Sequence, residues 1–152
     1  NDVEKITSLI MDSLPKNADY IRVHVGGDFV TSEYMLSWFN VARMNPNIKF
    51  YAYTKAIGWM QDNEDMRPKN FRMIASYGSK QDNLITKETI SANVVFHPSE
   101  TKLPIDHNEF YAINDNQGSF SLLLHGTQKS NSLGSEALKR MNKENIKYSY
   151  SR

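Results

Sequence analysis

The chain has 152 residues, with 18 lysines and arginines against 17 aspartates and glutamates, for a formal charge of +1. That length suits a single domain over residues 1–152 with a sizeable core, and the near-neutral balance argues against broad electrostatic capture of nucleic acid or an anionic membrane. With no cysteine, disulfides, thiolate catalysis and metal sites built on cysteine are excluded within this chain.

A reducing compartment, the cytoplasm, is the expected location. No apolar run reaches transmembrane length and no signal-peptide pattern opens the chain. Asn1 stands where a methionine would begin an unprocessed protein, so a longer precursor is expected.

Val3, Ile6, Ile10 and Leu14 recur near helical spacing and predict a first helix, with Asp2 as candidate cap and Pro15 to stop it. "YIRVHV", residues 20–25, predicts a strand. Thr31 or Ser32 caps a second helix whose apolar face is Tyr34, Met35, Trp38, Phe39, Ala42 and Met44. Residues 48–54 predict a second strand, 56–63 a short helix, 62–70 a loop and 71–78 a third strand.

Residues 79–90 are mixed, with one or two helical turns. A fourth strand is expected over 92–98. The stretch 99–116 reads as a loop in which Tyr111 and Ile113 mark a short strand. A fifth strand follows over 119–126, then a polar turn and a helix with Leu133, Ala137, Leu138 and Met141 inward. "IKYSYS", residues 146–151, predicts a last strand. Alternating strands and helices of these lengths predict an α/β fold, a mostly parallel sheet of βα units. Five or six strands are too few for a complete eight-stranded barrel, leaving an open sheet, a partial (β/α) barrel, or a barrel completed by another chain.

In parallel α/β folds ligands gather at the carboxyl ends of the strands. Gly26, Gly27 and Asp28 follow the first strand, Thr54 and Lys55 the second, and Ser76, Tyr77, Gly78 and Lys80 the third. His97 ends the fourth; His125, Gly126, Thr127 and Gln128 end the fifth. Exposed glycine amides suit a carboxylate, phosphate or amino-acid headgroup, and Asp28 suits an ammonium or hydroxyl; its plain alternative is a βα turn near a helix start. By strand alternation His24 shares a face with Arg22 and Gly26.

His125 is the leading acid–base candidate, with Asp28 beside it as the second catalytic candidate and ligand anchor. Arg22, His24, Gly26, Gly27, Lys55, Ser76, His97 and Gln128 complete the ligand-binding set. Each has a bland counterpart: a packed strand histidine, a solvated lysine, a turn-capping imidazole. No Walker, GxGxxG, HExxH or GxSxG pattern occurs, and the histidine spacing carries no metal signature.

"RVHVGGDFVTSEYMLSWFNVARMNPNIKFYAYTKA", "FRMIASYGSKQDN" and "LLLHGTQKSNSLGSEALKRM" together resemble blocks of a phage and plasmid family called gene product 88, or replication-associated protein. That family in turn looks like a relative of radical S-adenosylmethionine enzymes, in which one strand leads to a cysteine loop holding an iron–sulfur cluster. The next ends in a glycine-glycine-acidic motif contacting the methionine part of the cofactor.

Gly26, Gly27 and Asp28 match the second motif. The cysteine loop has no counterpart here, so the resemblance implies a partial barrel lacking that segment, with no iron–sulfur cluster from this chain. Either a segment was removed or this is a shortened relative without radical chemistry.

Three functions follow. The first is a small-ligand protein or non-radical enzyme taking S-adenosylmethionine, a nucleotide or a related molecule at the strand ends. The second is a phage structural or host-interaction protein working as a homo-oligomer. The third is a replication-associated nucleic-acid processor, supported by the family label and by basic residues near 67–69 and 139–147. A phage-encoded chain would act in the host cell cytoplasm, with no membrane partner.

Overall fold

The structure, a computed structural model, describes residues 1–149. It divides into two compact units, Asn1–Thr89 and the chain from Ile90 onward. In the first, helix α1 (Asp2–Ser13) precedes strand β1 (Tyr20–Arg22), helix α2 (Ser32–Met44), strand β2 (Lys49–Thr54), helix α3 (Ile57–Asp62) and strand β3 (Phe71–Ser76). Both strand pairings are parallel: Arg22 lies opposite Tyr51, and Tyr51 opposite Arg72. Parallel neighbours cannot be joined by a tight hairpin, and here α2 and α3 lie in the two connections.

Local chemistry sets the helix ends. Asn1, rather than the expected Asp2, caps α1: its side chain accepts from the Glu4 amide, and Glu4 reaches back to the Asn1 nitrogen, a reciprocal capping box. Thr31 caps α2 as expected, accepting from the Tyr34 amide at 3.0 Å. After α2, the Asn70 amide nitrogen donates to the carbonyls of Ala42, Asn45 and Ile48, satisfying acceptors the helix end leaves open.

One core cluster lies on the face of the strands that meets α1 and α2, while Tyr51 and Ile74 are buried on the other face. Ile21, Val23, Phe50, Ala52, Phe71, Met73 and Ala75 pack with Met35, Phe39, Val41 and Ala42 of α2, and Ile10, Met11 and Leu14 of α1 rest against them. Phe50 stacks on Phe71 with centroids 5.9 Å apart and planes 8° off parallel; Phe39 meets Phe71 edge-on at 5.2 Å.

In the second unit strand β4 (Ser91–Val95) and strand β5 (Phe120–Leu123) pair in parallel, with helix α4 (Phe110–Ile113) between them and helix α5 (Leu133–Lys143) after them. Val95, Leu123 and Met141 form its core with Leu124, Leu138 and Ile146. The α/β class and the parallel strands therefore stand as expected.

Several boundaries differ from the sequence reading. β1 stops at Arg22; the Val23 amide makes one further bond to the Tyr51 carbonyl at 2.8 Å, then His24 adopts φ 64° and turns the chain away. A left-handed residue cannot continue a strand, so His24 does not share a strand face with Arg22 and Gly26.

Tyr111 and Ile113 belong to helix α4 instead of a strand. Asp106, fully buried, accepts from the amides of Tyr111 and Ala112 at 3.1 Å each and so holds the first turn. β4 runs Ser91–Val95 and β5 Phe120–Leu123, both shorter at the carboxyl end than expected. Residues 146–149 form no strand, and the rest of that expected strand lies outside the described residues.

Phe50→Ala removes a fully buried ring from the centre of the first unit, so we expect a loss of about 3–5 kcal/mol, read as a lower midpoint in equilibrium urea unfolding.

Candidate functional site

Three strand ends of the first unit meet through side chains. The turn at residues 26–28 follows β1, and its Asp28 carboxylate crosses to β2. One oxygen accepts from the Thr54 hydroxyl at 2.6 Å and the Phe29 amide at 2.7 Å; the other accepts from the Lys55 amide at 2.7 Å. A carboxylate has about four acceptor positions, so one is left for an outside donor.

Thr54 passes the bracing on, its hydroxyl accepting from the Ala56 amide at 3.0 Å. The Lys55 ammonium continues to β3, donating to the Ser76 hydroxyl at 3.2 Å and to the Tyr77 carbonyl.

The loop after β3 is organised by Asp82, whose carboxylate accepts from the amides of Gly78 and Ser79. Those two backbone bonds hold its carboxyl below the usual aspartate range, with the Lys55 charge adding to the effect. Gln81 reaches over to accept from the Gly58 amide at 2.8 Å, tying this loop to α3.

Gly26 and Gly27 form the open part of the site. A Cβ built on either meets nothing within 4 Å, and Gly27 has φ 85°, a conformation side chains rarely adopt. Their backbone is therefore approachable beside the anchored carboxylate.

His24 introduces this turn. Its Nε2 lies 3.0 Å from the Tyr34 hydroxyl, and its ring packs against Phe29, Tyr34 and Trp38. Burial lowers its pKa, with Asp28 opposing the shift. Its Nδ1 is buried without a hydrogen-bond partner. Arg22 lies with its guanidinium 5.0 Å from the Tyr53 ring centroid. Arg22 also borders a cavity of 510 Å³ lined by α1, β1 and α2 residues, among them Leu9, Ile10, Tyr34 and Trp38.

The remaining candidates lie in the second unit. His97 caps the short 3-10 turn Pro98–Glu100, and its Nε2 meets Glu144 at 2.7 Å. Ser99 lies 2.7 Å from its Nδ1. His125 Nδ1 donates to the Leu123 carbonyl at 3.1 Å, and the Gln128 amide donates to the His125 carbonyl at 3.2 Å. In the first unit the expected residues Asp28, Lys55 and Ser76 thus form one bonded group; in the second, His125 bonds Gln128, and His97 bonds Glu144, which was not among the expected residues.

Sequence reading missed Ser99 and Glu144 as neighbours of His97, and Tyr34 as the partner of His24. The positions 97 and 144 are 47 residues apart, and no spacing rule connects them. Tyr34 reads in sequence as apolar helix face, though its hydroxyl carries the contact. Among the described residues no three histidines, aspartates or glutamates gather as a metal-holding group, and no helix is long and apolar enough to cross a membrane.

These features define a protein of the α/β class with parallel strands and a polar, glycine-edged cluster at three strand ends. The family model described as gene product 88 matches residues 1–143, and the chain belongs to that family. No curated protein and no solved structure matches the chain.

Asp28→Asn keeps one oxygen acceptor and loses the other with the charge, and is expected to cost about 1–3 kcal/mol in urea unfolding. His24 supplies a pH signature. Its depressed pKa means the unfolded chain takes up its proton first. Stability is therefore complete above the ordinary histidine range, about 6.5, and falls as pH drops through the depressed value. His24→Asn retains a residue that tolerates positive φ and should flatten that slope in unfolding curves recorded between pH 8 and 5.

Proposed function

We propose that the first unit is a small-ligand-binding module whose ligand sits on the turn at residues 26–28 and carries an amino-acid or phosphate headgroup. S-adenosylmethionine, a nucleotide or a related molecule is the expected class, with no radical step resting on cysteines of this chain. The observation that carries this reading is the pairing of opposites in one turn. The backbone at Gly26 and Gly27 is open on its outer side, while Asp28 is immobilised by three hydrogen bonds with one acceptor position remaining.

Backbone N–H groups suit a carboxylate or phosphate, and the spare carboxylate position suits an ammonium or hydroxyl, so a zwitterionic headgroup meets both. The resemblance of Gly26, Gly27 and Asp28 to the glycine-glycine-acidic motif of radical S-adenosylmethionine enzymes points the same way. The rigid support helps too: a site already held by its own bonds loses less conformational freedom on binding.

Isothermal titration of the whole chain with S-adenosylmethionine and with adenosine triphosphate tests this. Binding of either, weakened at least about tenfold by Gly26→Leu with an unchanged melting temperature, supports the site. A side chain at Gly26 meets only open space in the folded chain, so the variant obstructs the ligand and not the fold. No heat with either probe, or equal binding by the variant, overturns it.

A second reading is favoured by the β1 side of the same unit. β1 pairs with β2 alone within it, and apolar groups stand exposed nearby: Tyr20 at 58%, Leu9 at 67% and Val30 at 74%. An edge strand with apolar neighbours suits pairing with a second copy of the chain. Light scattering behind size exclusion should then give a dimer or larger mass that Leu9→Glu reduces; a monomer across the micromolar range rejects assembly.

A further inference from the structure

The contacts of His97 in the second unit form a directed proton path. Its Nδ1 is 3.2 Å from the backbone nitrogen of Ser99, which can only donate. Nδ1 is therefore the unprotonated nitrogen, and the proton of the neutral ring sits on Nε2, from which it is donated to Glu144 at 2.7 Å. The Ser99 hydroxyl, 2.7 Å from Nδ1, must then be a donor to it. The second oxygen of Glu144 accepts from the Arg140 Nε at 3.0 Å, which fixes the carboxylate.

Helix capping accounts for the amide bond. It does not account for the hydroxyl, or for a carboxylate brought from 47 residues away to the far side of the ring. A nucleophile bonded to a base that a third group orients is the signature of nucleophilic catalysis.

We propose that Ser99 is an activated nucleophile, with His97 as its base and Glu144 as the group that positions the imidazole, and that it cleaves small carboxylic esters by acyl transfer. Ser99 is exposed while the His97 side chain is 13% exposed, so an unhindered ester reaches the hydroxyl and the base stays sheltered.

The Ser99 Oγ attacks the acyl carbon as its proton passes to Nδ1. The carbon–oxygen bond to the leaving group breaks, and the departing oxygen takes that proton as an alcohol or phenol. Water then attacks the acyl carbon and gives a proton to Nδ1; the bond from that carbon to the Ser99 Oγ breaks as Nδ1 returns the proton to it, which releases the carboxylic acid and restores the free hydroxyl and the neutral imidazole.

The probe is p-nitrophenyl acetate with the whole chain, followed by nitrophenol release and by mass spectrometry of the Ser99 peptide. The expected result is an acetyl group on Ser99 and a rate above buffer. Ser99→Ala should abolish both.

His97→Asn is the decisive variant, since asparagine preserves a capping oxygen for the Ser99 amide but supplies no base. It should slow acylation about 100-fold at unchanged melting temperature. Glu144→Gln should lower the rate and shift its pH profile. Acetyl on another residue, or wild-type rates in Ser99→Ala or His97→Asn, overturns the proposal.

Discussion

The Asp28 carboxylate does for the first unit what a longer β1 would otherwise do. β1 has only three residues, and its backbone ladder to β2 ends with the Val23 amide. Beyond that point the chain has already turned at His24. The two segments would part there, but Asp28 accepts from the Thr54 hydroxyl and the Lys55 amide. These are charge-assisted bonds, stronger than neutral ones. They fix the glycine turn relative to the end of β2, and Lys55 extends the bracing to β3 through Ser76 and Tyr77.

This arrangement follows from how parallel strands use their ends. Their connections leave by the carboxyl edge, where backbone groups lose their ladder partners and must be satisfied by something else. Here carboxylates take that work. Asp28 serves the amides of Phe29 and Lys55; Asp82 serves Gly78 and Ser79; in the second unit Asp106 serves Tyr111 and Ala112. An aspartate at such a position reads as a catalytic candidate in sequence, yet most of the acceptor capacity of Asp28 is spent on its own turn and on the end of β2. The turn therefore offers an incoming ligand chiefly open backbone at Gly26 and Gly27, with Asp28 as a fixed anchor.

The legible parts of the chain were those whose burial is periodic. α1, α2 and α5 carry apolar residues at helical spacing, and β2 and β3 are continuous strand-forming runs buried along most of their length. The misread parts turn on a single residue in an unusual conformation or on a distant partner. Val25 looks like strand interior but is 88% exposed, because His24 has left the extended region. Tyr111 and Ile113 favour strands, but Asp106 imposes a helical turn from five residues upstream of Tyr111. The polar set at the strand ends was legible as a list. Its grouping was not, because which carboxylate meets which amide depends on loops that carry no periodicity.

The two histidines nearest to chemistry show why identity at a position says little until the second nitrogen is placed. His24 has one nitrogen on Tyr34 and the other buried without a partner, in an aromatic surround that disfavours its charge. A proton there would have to be held where water cannot reach, so the ring acts as an apolar prop for the turn. His97 has both nitrogens engaged, one as acceptor and one as donor to a carboxylate. That carboxylate is held below its usual range first by this bond and then by Arg140, and it stays ionised opposite the imidazole through neutral pH. The His97 ring thus faces a carboxylate, whereas the His24 ring is enclosed by Phe29, Tyr34 and Trp38. Of the two, His97 is the one joined to both a hydroxyl and a carboxylate, although its place ahead of a proline made it the less conspicuous in sequence.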